Sequence, residues 1–179
     1  LGGPATPDAP KTEPSMSGTL LPETGTEPSP KEEPKGTVLA AFAGGMGLLT
    51  SLANEGHRPL LITRQHPNHV RKSQDEGGLR AIWLSTTLGK DYVDPHNLNV
   101  LTNVILNHIA GGGKSVILLD GLEYLMINNE SSRVIKFFEH VNEVVAQTAA
   151  VLLISVDERA FEPRQMALLE RHAIVLEAA

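Results

Sequence analysis

The segment Ser115 to Met126, SVILLDGLEYLM, constrains the fold more than any other stretch of the chain. Its apolar run Val116 to Leu119 shows no polar alternation, the pattern of a central parallel strand buried on both faces, and it stops abruptly at Asp120, Gly121 and Glu123. Ligands of open α/β sheets gather beyond the carboxyl ends of the strands, so Asp120 falls where a site is expected.

Comparable runs recur at Val38–Phe42, Leu60–Thr63, Ala81–Ser85, Ala150–Val156 and Ala173–Leu176. The gaps between them, roughly 16 to 30 residues, suit crossover connections and exceed any hairpin turn. Helical stripes fill two of the gaps: Leu98, Leu101, Ile105 and His108 within 96–109, and Val134, Phe137, Phe138, Val141, Val144 and Val145 within 133–147. Asp94–Pro95 and Pro163 read as helix starts. The expected fold is α/β, a three-layer sandwich around a mostly parallel sheet of about six strands.

Composition divides the chain unevenly. Residues 1–35 carry eight of the twelve prolines and half of the net charge of -6, with few large apolar side chains. Such a stretch cannot bury enough surface to offset its ordering entropy, so 1–36 reads as a disordered Pro-rich linker ahead of a single domain at 37–179. A linker implies an upstream module, a membrane anchor or a sensory domain. Leu21–Gly25 spells the sorting pentapeptide LPETG, but that signal requires an apolar span and a basic tail at the very C-terminus, whereas about 150 further residues follow here. The apolar stretch 37–53 is at the short end of what spans a bilayer and contains Gly44, Gly45 and Gly47, so it reads as strand, turn and helix. The absence of cysteine excludes disulfides and zinc–thiolate sites and suits a cytoplasmic location. With a net negative charge and no basic stripe, neither nucleic acid nor direct membrane contact is expected.

Three stretches imitate phosphate sites. Gly111-Gly112-Gly113-Lys114-Ser115 resembles the end of a Walker A loop, but it closes a helix and enters a strand, the reverse of the order that aims helix amides at phosphate. Ala43 to Gly47 follows a strand and precedes a helix, the right order for a phosphate turn built on Gly44, Gly45 and Gly47. A Walker A alignment there puts Met46 in place of lysine and Gly47 in place of the magnesium-binding hydroxyl. A dinucleotide alignment lacks its third glycine, although Arg64 at the next strand exit could meet the 2′-phosphate of NADP. The third stretch is Asp120 itself, placed like a Walker B aspartate with Glu123 nearby; the plainer role for Asp120 is to cap the following helix.

His66 and His69 have metal-ligand spacing but no third ligand near them in sequence, so a surface helix start is expected and no metal site. Trp83 and Tyr124 read as core or edge-of-core aromatics. Glu158, Arg159, Glu162, Arg164, Glu170 and Arg171 form a mixed-sign cluster that reads as a solvated face or a docking surface.

The phrases LLITRQHPNHV (60–70), AIWLS (81–85), SVILLDGLEYLMINN (115–129) and VLLISVDERAFEPRQMALLER (151–171) resemble the archaeal family filed as domain of unknown function 835. The resemblance spans about Thr37 to Leu176. It implies a module found alone or behind membrane segments or sensory domains, and it carries over no catalytic residue because the family's function is not established. AGGMGLLT at 43–50 departs from the family pattern. Through the Asp120 exit the family also resembles a degenerate relative of RecA and KaiC ATPases. That likeness implies the Asp120 strand beside the 150–156 strand and the 38–42 strand near the middle of the sheet.

The expected function is that of a non-enzymatic α/β module of signalling or regulation. It would present its carboxyl rim, lined by Thr63, Arg64, Ser85, Asp120, Glu123, Ser155 and Asp157, to a protein partner or small ligand. No cofactor is expected; the alternative is a nucleotide-binding protein holding ATP or NADP.

Overall fold

The computed structural model describes residues 2–4, 33–71 and 78–176. The chain divides into two units, Leu1–Glu32 and Glu33–Ala179. Most of the expected linker, including the LPETG match, lies outside the described residues.

The second unit runs β1 (Gly36–Ala40), α1 (Phe42–Asn54), β2 (Arg58–Thr63), α2 (Pro67–Arg71), β3 (Arg80–Leu84), β4 (Tyr92–Val93) and α3 (Leu98–Ala110). It continues with β5 (Ser115–Asp120), α4 (Leu122–Asn128), α5 (Ser131–Ala146), β6 (Ala150–Ser155), α6 (Pro163–Glu170) and β7 (Ile174–Val175). The strands form one seven-stranded sheet in the order β4-β3-β2-β5-β6-β1-β7, and every pairing is parallel.

The three-layer α/β architecture is the expected one, and β5 neighbours β6 as anticipated. Two details differ. β5 holds the centre, and β1 lies next to the edge strand β7. The seventh strand, β4, was not anticipated because Tyr-Val inside a polar loop carries no periodic signal. It pairs with β3 across residues 85–91 through a left-handed Asp91 at φ 63°.

Alternation of side chains along each strand builds the two cores. Leu60 and Ile62 of β2, Ile117 and Leu119 of β5, and Leu152 and Ile154 of β6 face the larger cluster beneath α3, α4, α5 and α6. Leu61, Val116, Leu118, Val151 and Leu153 face the smaller one beneath α1 and α2. Each of these side chains is essentially fully buried, which contributes about 1.5–3 kcal/mol per side chain relative to exposure. β5 and β6 are buried at all six positions, which accounts for their unbroken apolar spelling.

The glycine turn expected at 43–47 does not form. Gly44, Gly45 and Gly47 lie inside α1, and Ala41 alone connects β1 to the helix. Three helical glycines cost about 1 kcal/mol each relative to alanine, so packing holds this helix and propensity does not. A Cβ on Gly45 would lie 3.1 Å from Leu118 Cδ1; the missing side chain lets α1 sit close on β5. Other starts shifted too. The N-cap of α3 is Asn97, whose side chain accepts from Val100 N–H at 3.2 Å, while Asp94 accepts from His96 N–H instead. The buried stripe of α3 ends in Ile109; His108 is half-buried beside it. Pro163 opens α6 as expected, with Gln165 Oε1 accepting from Glu162 N–H. Gly111 caps the end of α3, so 111–115 is the helix-to-strand turn that its order implied.

Candidate functional site

Strand register lines up the exits. Trp83, Thr63, Asp120, Ser155 and Ala40 are successive cross-strand partners over β3, β2, β5, β6 and β1. The connections leave this row in opposite directions. After β1 and β2 the chain passes to α1 and α2 on the face of the smaller core; after β5 and β6 it passes to α4, α5 and α6 on the other. Where neighbouring strands send their connections to opposite faces, a crevice opens at their carboxyl ends. Here β2 neighbours β5 and β1 neighbours β6, so the crevice spans four strands.

The resulting cleft has a volume of about 950 Å³. Ala41, Phe42, Arg64 and Gln65 form one bank; Glu123 and residues 156–159 form the other. Glu170 of α6 and Val175 and Leu176 at the β7 edge close one end, and Asp120 and Ser155 lie on the floor. Asp120 is buried. Its Oδ2 accepts from Thr63 Oγ1 at 2.7 Å, and the same hydroxyl oxygen accepts from Gln65 N–H at 3.0 Å. The expected helix cap is therefore not the role of Asp120, because Gly121 begins α4 without a side-chain cap. Gly121 has φ 138°, and a Cβ there would sit 3.1 Å from Leu84 Cδ1, so the turn between floor and helix requires glycine.

Glu123, at the start of α4, meets Arg64 Nη2 at 3.4 Å. Asp157 is exposed and receives both Nε and Nη2 of Arg159, at 2.9 and 2.8 Å. Hydrogen bonds from the Arg159 side chain and backbone hold the Asp157 carboxyl down at about 2 and push the guanidinium up. Glu158 and Glu170 enter none of the ion pairs among the described residues. Five carboxylates thus line the cleft against two guanidinium groups.

Of the residues expected at the rim, Arg64, Asp120, Glu123, Ser155 and Asp157 line the cleft, and Thr63 stands behind Asp120. Ser85 does not. It lies past β3, donates its N–H to Val93 O and accepts from Thr87 N–H, which commits it to the β3–β4 loop. Gly44, Gly45 and Gly47 stay outside the lining. Glu158, Arg159 and Glu170, from the mixed-sign cluster that reads in the sequence as a solvated face or a docking surface, are part of it; Val175 and Leu176 read only as part of a strand run, and edge docking of β7 brings them to the cleft. Trp83 is an edge-of-core aromatic, between the ring edges of His66 and Tyr92, with its Nε1–H donating to Arg64 O at 3.1 Å. Among the described residues, no three His, Cys, Asp or Glu side chains gather as a metal site, and no helix is long and apolar enough to cross a membrane.

No curated protein matches the sequence. Residues 42–172, well over half of the chain, match the family model described as "Protein of unknown function (DUF835)", and the chain belongs to that family.

Proposed function

We propose that the chain is a non-enzymatic binding module of signalling or regulation whose carboxyl-rim cleft takes a lysine- or arginine-bearing segment of a protein partner. The excess of carboxylates over guanidinium groups in the cleft carries this proposal. A cationic guest is attracted there, whereas a triphosphate would meet like charge. The two carboxylates placed as in an ATPase are already engaged, Asp120 by Thr63 and Glu123 by Arg64. On this proposal the domain is an archaeal, RecA- or KaiC-like scaffold without ATP chemistry, working in the cytoplasm behind an upstream anchor or sensory module.

Nucleotide binding, the alternative, has one observation in its favour: α1 starts at the cleft, with no side-chain cap and no acidic residue in its first turn. A melting-temperature panel separates the two. A peptide of alternating Lys and Ser should raise the midpoint in a concentration-dependent way, by about 2.7 kcal/mol of added stability at a hundredfold excess over Kd. Combined Glu158→Lys and Glu170→Lys should abolish that shift. Magnesium-ATP and NADP should leave the midpoint unchanged; stabilisation by either, with the peptide inert, would establish the alternative.

A further inference from the structure

A second concave surface lies between α3 and α5. It has a volume of about 530 Å³ and is lined by Leu98, Asn99, Thr102 and Asn103 on α3 and by Arg133, Lys136, Phe137 and His140 on α5. Leu98 and Phe137 are buried and form an apolar floor. Arg133, Lys136 and His140 follow the i, i+3, i+7 spacing of one helical stripe, which extends over about 10 Å. All three are exposed, and none enters an ion pair among the described residues. Among the described residues, no carboxylate lines the groove. Opposite the cations stand the exposed amides of Asn99 and Asn103.

On a chain of net charge -6, an unpaired cationic stripe over an apolar floor is a segregated feature. We infer that this groove docks an acidic peptide segment of a protein partner, with its carboxylates on Arg133 and Lys136 and an apolar side chain against Phe137. The asparagine amides suit peptide carbonyls and N–H groups, which a bare inorganic anion lacks. Only two permanent cations, Arg133 and Lys136, serve the groove, and the remaining charge of the chain repels a long polyanion, so a nucleic acid fits less well.

The test is an NMR titration of the full chain with a ten-residue peptide alternating Glu and Leu, with inorganic phosphate and a short single-stranded RNA as parallel probes. Saturable shifts should appear at the amides of Asn99, Asn103, Lys136 and His140. Arg133→Glu with Lys136→Glu should weaken the peptide at least tenfold, and Asn103→Leu, which leaves the charges in place, a few-fold. Should the double reversal fail to give a folded melt, Lys136→Met supplies the charge test. Absence of saturable shifts, affinity indifferent to the reversal, or phosphate or RNA binding these residues as tightly as the peptide would each overturn the inference.

Discussion

The two ends of the sheet use the same kinds of side chain to opposite purposes. At the amino ends, polar groups close on the protein. Arg58 Nη2 donates to the His108 carbonyl at 2.6 Å, and His108 Nε2 donates back to the Arg58 carbonyl at 3.0 Å. Thr37 Oγ1 donates to Asn142 Oδ1 at 2.6 Å, and Lys114 holds Glu33. The Arg58 guanidinium thus lies against the last turn of α3, where the helix dipole favours a cation. At the carboxyl ends Thr63 and Asp120 repeat the buried hydroxyl-to-acceptor pair, but the carboxylates around them outnumber their cations and face an open cleft. One end completes the fold; the other carries charge the fold does not require, which the proposed binding surface would use.

One substitution made at both ends sharpens this contrast most. Thr63→Val strips a buried carboxylate of its hydroxyl donor and should cost about 1.5–3 kcal/mol, whereas Thr37→Val removes a neutral pair and should cost about 0.5–1.5 kcal/mol. Denaturant midpoints at neutral pH measure both, and equal losses would erase the distinction.

A smaller effect tests the amino end alone. Burial holds His108 below its ordinary value of 6.5. In the window between its folded and unfolded values the unfolded chain binds the extra proton, so this contribution to stability is complete above 6.5 and is lost as pH falls towards the folded value. Thermal melts from pH 7.5 to 5 should show that slope, and His108→Gln should flatten it.

The smallest effect belongs to the exposed rim. Arg159→Ala should raise the Asp157 titration from about 2 by carboxyl NMR and lower the melting temperature at pH 7 only slightly, because the pair is solvated. A clear fall in melting temperature would give the rim a structural role like that of the other end.

Much of the fold was legible before the structure. Five of the seven strands announce themselves as short apolar runs, and β7 as a weaker one, because burial on both faces leaves no room for polar residues. Asp120, Arg64, Glu123, Ser155 and Asp157 could be placed at one rim because parallel strands all end on the same side. Ser85 obeyed the same rule and still missed the cleft, since the β3–β4 loop claimed its hydrogen bonds. The glycines of α1 misled for a related reason. Their weak helix propensity indicates a turn, and only contact with Leu118 makes a close-packed helix the better state.

By itself, then, the sequence determined the α/β class, the parallel sheet and the residues Thr63 and Asp120 that end β2 and β5, because burial periodicity is a local property of the chain. Only the tertiary structure decided that β1 lies beside β6 and β7, that Glu170 and Leu176 close the cleft, and that Arg133 and Lys136 share a groove with Asn99 and Asn103. Those placements depend on the strand order and on helix packing across the sheet, which couple residues distant in sequence and leave no trace in the spacing around any one of them.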